Sequence, residues 1–206
     1  MKNYVIARAF LLLFILNVSA LQAQISLGLG LSGLKYLGDG NQRPIALGLN
    51  PNLGIELSEK TKLLLSTTFY VPVTYTYNEQ LNVNNIPQVT KTDEQFKTVQ
   101  LSALFLMDII GNNKSGGFYV GVGPSVVLYN STLTRENYQT YNYAGDFKDY
   151  VLDARAGLEI PMGLFRLYAE AEAGPALFSD FKSNNVYYKP NRGTILAGTI
   201  GIRLRI

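Results

Sequence analysis

The chain has 206 residues, 47% hydrophobic and only 16% charged, with 18 basic against 15 acidic residues for a formal net charge of +3. It contains no His, Cys or Trp. That excludes Ser-His-Asp and Cys-His nucleophiles, thiolate redox centres, the usual zinc ligand sets and any disulfide. The length suits one domain, and the charged fraction is well below the ~25% of an average soluble protein.

Residues 1–23 come first. Lys2 and Arg8 precede an apolar run from Ala9 to Leu16, and Leu21-Gln22-Ala23 sets a small residue before a cut at Gln24. This is the pattern of a cleavable secretory signal peptide. The run is shorter than the about 20 residues a helix needs to span a bilayer; an uncleaved anchor is the alternative. Removing the leader takes two basic and no acidic residues, so residues 24–206 carry 16 against 15 and a net charge of +1. Nucleic-acid binding loses its electrostatic support. No Cys follows the apolar run to carry a lipid.

From Gln24 onward the recurring period is two. Ile25, Leu27, Leu29 and Leu31 alternate with Ser26, Gly28, Gly30 and Ser32. Further strands are predicted at about 45–57, 62–77, 95–108, 117–130, 150–160 and 164–178. The final strand sets Leu196, Ile200, Ile202, Leu204 and Ile206 on one face and Ala197, Thr199, Gly201, Arg203 and Arg205 on the other. Short connections fall at Ser58–Thr61, Gly111–Gly116 and Pro161–Gly163, and longer polar ones at 34–44, 78–94, 131–149 and 179–192. Eight strands joined alternately by short turns and long loops predict a closed, antiparallel transmembrane β-barrel of the outer membrane, with both termini at the periplasmic, short-turn end. A soluble exported lipocalin-like barrel is the rival; it would turn the apolar face inward around a lipid. Glycines on the polar face (Gly28, Gly30, Gly48, Gly54, Gly121, Gly123, Gly157) suit a crowded interior better than a solvated exterior. Pro51, Pro72, Pro124 and Pro175 fall inside predicted strands, and a bulge is expected at Pro51.

The polar face of strands six and seven holds Asp153, Arg155, Glu159, Arg166, Glu170 and Glu172. A two-residue turn at Met162-Gly163 would place Glu159 opposite Arg166, Arg155 opposite Glu170, and Asp153 opposite Glu172. Arg203 and Arg205 on the last strand and Glu56 on the second complete an inward set of nine charges. One reading is a polar conduit; the other is a packed, self-neutralising lumen, which fits the width of an eight-stranded barrel. Tyr138, Tyr141 and Tyr143, beside Tyr150 in the longest loop, are candidate partner contacts, because loop tyrosines offer rigid amphipathic surface. Tyr75, Tyr77 and Tyr129 are assigned to an interfacial girdle. Gly121–Pro124 is no phosphate loop, since no helix follows. Asp146, Asp149 and Asp180 match no calcium loop and read as solvated loop acids. The pattern Asn130-Ser131-Thr132 fits a glycosylation acceptor that an outer-membrane protein has little use for. No catalytic residue, metal site or cofactor is expected.

The Gly-Leu-Gly-Leu opening, Asn52–Leu57 with its short turn, Gly121–Ser125 and the alternating final strand resemble the small outer-membrane β-barrel family that includes PorT-like proteins. The similarity to OmpX- and OmpA-type barrels is architectural. The family resemblance implies an outer-membrane location and insertion by the barrel-assembly machinery, which reads the last strand. It also implies, for PorT-like members, a link to protein secretion and gliding. The terminal residue departs from the pattern: it is usually aromatic and here is Ile206. The expected role is a structural or interaction platform in outer-membrane lipid, acting through surface loops on a surface or secretion-system protein. A narrow channel is the alternative.

Overall fold

The computed structural model describes residues 24–37, 44–83, 85–137, 143–183 and 193–206. The leader 1–23 and the candidate contacts Tyr138 and Tyr141 lie outside the described residues. Tyr143 opens a strand, and only its backbone is described.

Nine strands form one antiparallel sheet: β1 (Ile25–Leu37), β2 (Ala46–Glu56), β3 (Thr61–Tyr70), β4 (Val73–Val83), β5 (Ile86–Asn112), β6 (Gly116–Arg135), β7 (Tyr143–Met162), β8 (Phe165–Ser183) and β9 (Thr194–Arg205). The order is β3-β2-β1-β9-β8-β7-β6-β5-β4, and a further β3–β5 pairing closes eight strands into a ring with β4 outside it. β3 and β4 are the single strand predicted at 62–77, interrupted at Val71-Pro72.

Alternation decides which way the wall faces. Ile25, Leu27, Leu29 and Leu31 are 43–63% exposed, while Ser26 and Ser32 between them are buried. On β9, Ile200 is 63% exposed and Arg203 only 2%. The apolar side chains coat the outside and the charges fill the inside, the reverse of a soluble lipid-carrying barrel. On β7 this coat runs from Tyr150 through Leu152, Leu158 and Ile160 to Met162. At ~3.3 Å per residue and a tilt of about 40° that is roughly 30 Å, the thickness of a bilayer's hydrocarbon.

Two expectations about the prolines and the register are corrected. Pro51 causes no bulge: it faces Leu29 on β1, and the β2–β3 pairs on either side of it, Leu49–Phe69 and Asn52–Ser66, share one register. Register shifts fall instead at Tyr150/Val151 against β8, close to Pro175, and at Asp108/Ile110 on β5. The β7–β8 turn is Gly163-Leu164 rather than Met162-Gly163, because Gly163 takes a φ of +67°, which suits glycine at the first central position of a type II′ hairpin. Arg155 therefore faces Glu172, and Glu159 faces Tyr168. The shift is two residues, so every side chain keeps its face.

Because the chain has no cysteine, this register can be tested by crosslinking. Ala156→Cys should form a disulfide with Ala171→Cys, its direct partner. It should form none with Ala169→Cys, the partner under the one-turn-shorter alignment. Efficient crosslinking of the second pair would reverse the correction.

The segments predicted as loops 78–94 and 131–149 are mostly strand. Residues Val73–Val83 and Ile86–Phe96 pair as a hairpin whose turn carries Asn85 at φ +65°. β6 and β7 pair from Gly117–Glu159 up to Leu133–Tyr143. The apolar alternation stops at the membrane boundary, but a ladder of backbone hydrogen bonds needs no apolar face to continue into water.

Candidate functional site

Reading the lumen upward from the short-turn end, the first group is Glu56, at the end of β2. It accepts from Arg205 at 2.9 Å and lies 3.7 Å from Arg166. Glu159 comes next, holding Lys62 at 2.6 Å, Arg166 at 3.2 Å and Arg203. Glu170 then takes Arg203 at 2.5 Å and Arg155 at 2.9 Å, and the Tyr119 hydroxyl donates to it. Arg155 continues to Glu172, which also receives the Gln100 amide. Asp153 ends the chain, accepting from Ser125 and, at 3.5 Å, from Gln100. All nine candidate lumen charges point inward in one connected network. Glu159–Arg166 and Arg155–Glu170 meet diagonally rather than directly across the ladder.

The interior is packed around these charges. Arg203 stacks 3.9 Å over the Tyr168 ring and donates from Nε to Asn52 at 2.9 Å, while Asn52 donates to the Tyr168 hydroxyl at 2.8 Å. Lys62 sits 4.3 Å over the Tyr119 ring. Gly157 is required by that ring, since a Cβ there would come within 2.5 Å of it. Burying unpaired charges is prohibitive, whereas a mutually satisfied network is tolerated and fixes a unique packing.

Three members of this network, and one buried acid beside it, escape a reading of the sequence. Lys62 leads an apolar run, Leu63-Leu64-Leu65, that hides its face. Tyr119 and Gln100 lie inward in strands whose neighbours give no charge pattern. Asp108 is buried on β5, and its Oδ2 has no hydrogen-bond partner among the described residues.

Above the charges lies an apolar layer. Leu34, Tyr70, Val127, Tyr129, Leu133, Phe147, Val151 and Ile195 form one buried cluster across the lumen. Tyr129 stacks on Phe147 with centroids 4.8 Å apart, and Tyr36 tilts against Tyr129 at 5.8 Å. Tyr129 is thus a lumen residue, not part of a girdle; Tyr75 and Tyr77 stack together on β4, beyond the ring. The outward aromatic pair is Tyr150 on Phe178, 4.3 Å apart. Asp149, expected as a solvated loop acid, is buried on β7.

Beyond that layer the wall is lopsided. The β8–β9 ladder ends at Pro175–Thr194, yet β8 continues to Ser183. The β3–β5 ladder ends at Phe69–Val99, yet β5 reaches up to Ile86. A sheet made of β4 and the upper parts of β5, β6, β7 and β8 therefore rises past the rim. Among the described residues β4 has one strand neighbour, β5, so its other backbone edge borders no strand.

No protein-family model matches the chain, and no curated protein matches it in sequence. Solved structures do. Ail of Yersinia pestis, in a complex with the heparin analogue sucrose octasulfate, superposes with a TM-score of 0.55 at 15% identity, covering 90% of this chain and 100% of Ail. A major outer membrane protein of Thermus thermophilus gives 0.56 at 14% identity, with the same coverages. OprG of Pseudomonas aeruginosa gives 0.54 at 12%, covering 89% of this chain and 95% of OprG. The chain has the fold of the small outer-membrane β-barrels. At these identities the likeness carries the fold and nothing of ligand or partner. The PorT-like resemblance gains no support from these matches.

Proposed function

We propose that the chain is exported behind the leader 1–23 and inserted into the outer membrane by the barrel-assembly machinery, and that it serves there as an anchored interaction platform. The observation that carries this reading is the pairing of a filled lumen with a projecting sheet. Among the described residues the charge network and the apolar layer above it occupy the interior, which supports a filled barrel over a conduit. The sheet beyond the rim presents β4, whose outer edge is a row of backbone donors and acceptors of the kind that extended peptides add to. A role as an accessory to protein secretion is a narrower form of the same reading, and it rests on the PorT-like resemblance alone. No catalytic role is proposed.

A photo-crosslinking residue at Asn78 or Asn82, both exposed on β4, should trap the same discrete protein partner in intact cells. The same label at Lys114 in the opposite turn should trap none of it. Adducts independent of position would remove the support for a platform. In planar bilayers the refolded chain should show no unitary conductance steps; reproducible steps would favour the channel.

A further inference from the structure

Three consecutive rungs on the outer face of β5–β8 change character abruptly. The lowest, Leu101–Val126–Tyr150–Phe178, is apolar and aromatic. The next is Val99–Leu128–Lys148–Asp180, and the third is Lys97–Asn130–Asp146–Lys182. Rungs on one face are ~7 Å apart along a strand, or about 5 Å in height once tilted. Lys148 therefore stands about 5 Å and Lys97 and Lys182 about 10 Å above the apolar boundary, within and at the outer edge of a headgroup layer about 5–7.5 Å deep.

Lys97, Lys148 and Lys182 rim a groove of about 680 Å³ floored by Val99 and Leu128. All three are exposed. Asp180 lies across the ladder from Lys148, and Asp146 from Lys182, yet among the described residues none of the three ammoniums is held in an ion pair. Asp146 instead accepts from Asn130 at 2.8 Å, on the side away from Lys182. The groove thus carries three lysines against the two carboxylates of Asp146 and Asp180, and with Asp146 held by Asn130 it keeps an excess of cation for an anion at a fixed depth.

We propose that Lys97, Lys148 and Lys182 form a binding site for the phosphate groups of anionic lipid headgroups, in the leaflet at the long-hairpin end. The apolar floor meets the upper acyl chain, and the lysine stems lie along the wall while their ammoniums reach the phosphate. The site rests on the barrel lying in a membrane and not on the platform reading, so a conducting barrel would leave it intact.

The test uses the full chain refolded in nanodiscs of phosphatidylcholine with a minority of phosphatidic acid, counting retained lipids by native mass spectrometry. Phosphatidic acid should be enriched on the wild type over its share of the disc. The triple variant Lys97→Gln, Lys148→Gln, Lys182→Gln should lose at least about fivefold of that enrichment, the loss expected for a single interfacial lysine. Lys148→Gln alone should lose part of it. Lys114→Gln removes the same charge at the opposite end and should keep it. Undiminished enrichment in the triple variant, or an equal loss in Lys114→Gln, would overturn the site. Displacement of the lipid by millimolar inorganic phosphate would mark a free-phosphate site and overturn the lipid assignment.

Discussion

Arg203→Met should cost the barrel about 3–5 kcal/mol, the penalty for breaking a buried ion pair and leaving its partners charged. Arg203 joins the network more widely than its neighbours. It binds Glu159 and Glu170, donates to Asn52, lies 3.3 Å from the Tyr119 hydroxyl and stacks on Tyr168. A methionine fills much of the volume but leaves both carboxylates short of one cation. Arg205 provides the contrast, because its side chain is 23% exposed at the mouth and among the described residues it forms an ion pair with Glu56 alone. Arg205→Met should cost no more than about 1 kcal/mol. Urea midpoints of the two variants refolded into lipid vesicles, read by gel mobility, measure the difference. Equal small losses would mean that the lumen is hydrated and its charges are individually solvated.

Ile200→Arg should cost about 2–4 kcal/mol, since it turns a charge toward the middle of the hydrocarbon. Ile200 is 63% exposed on the outer face, midway along β9. The same change at Ile206, also exposed but at the end of the strand, should cost about 0–1 kcal/mol. A gradient of this kind is a property of the bilayer; in water an arginine at either site would be harmless. Thr199, the inward neighbour of Ile200, is no milder a site for arginine. It is buried and its hydroxyl donates to Ser32 at 3.0 Å. Arginine there would overpack a full lumen and add a cation beside Arg203, so Thr199→Arg should be at least as damaging as Ile200→Arg.

The first and last strands were the most legible parts of the chain, because a lipid-facing wall with a small polar interior writes itself as Leu-Gly-Leu-Gly and Ile-Gly-Ile-Arg. The candidate charges were legible for the same reason. A two-residue error at the Gly163 turn preserved every face, so Arg155 and Glu170 still met. The projecting sheet was illegible: on β5 above Lys97 the run from Thr90 to Gln95 is polar on both faces, so no apolar alternation marks it as strand. The apolar layer was missed for a related reason. Val127, Tyr129 and Phe147 share the parity of inward Ser125 and Asp153, and period alone does not tell a polar interior from one that turns apolar along its length.

The membrane barrel itself is tested most directly by the electrophoretic mobility of the cell-envelope fraction, with and without boiling in detergent. The account predicts that the chain sediments with the envelope and that the unboiled form runs faster than the boiled one, because a closed ladder of eight strands resists the detergent until heated. A chain recovered in the soluble fraction, with a single mobility before and after boiling, would contradict it.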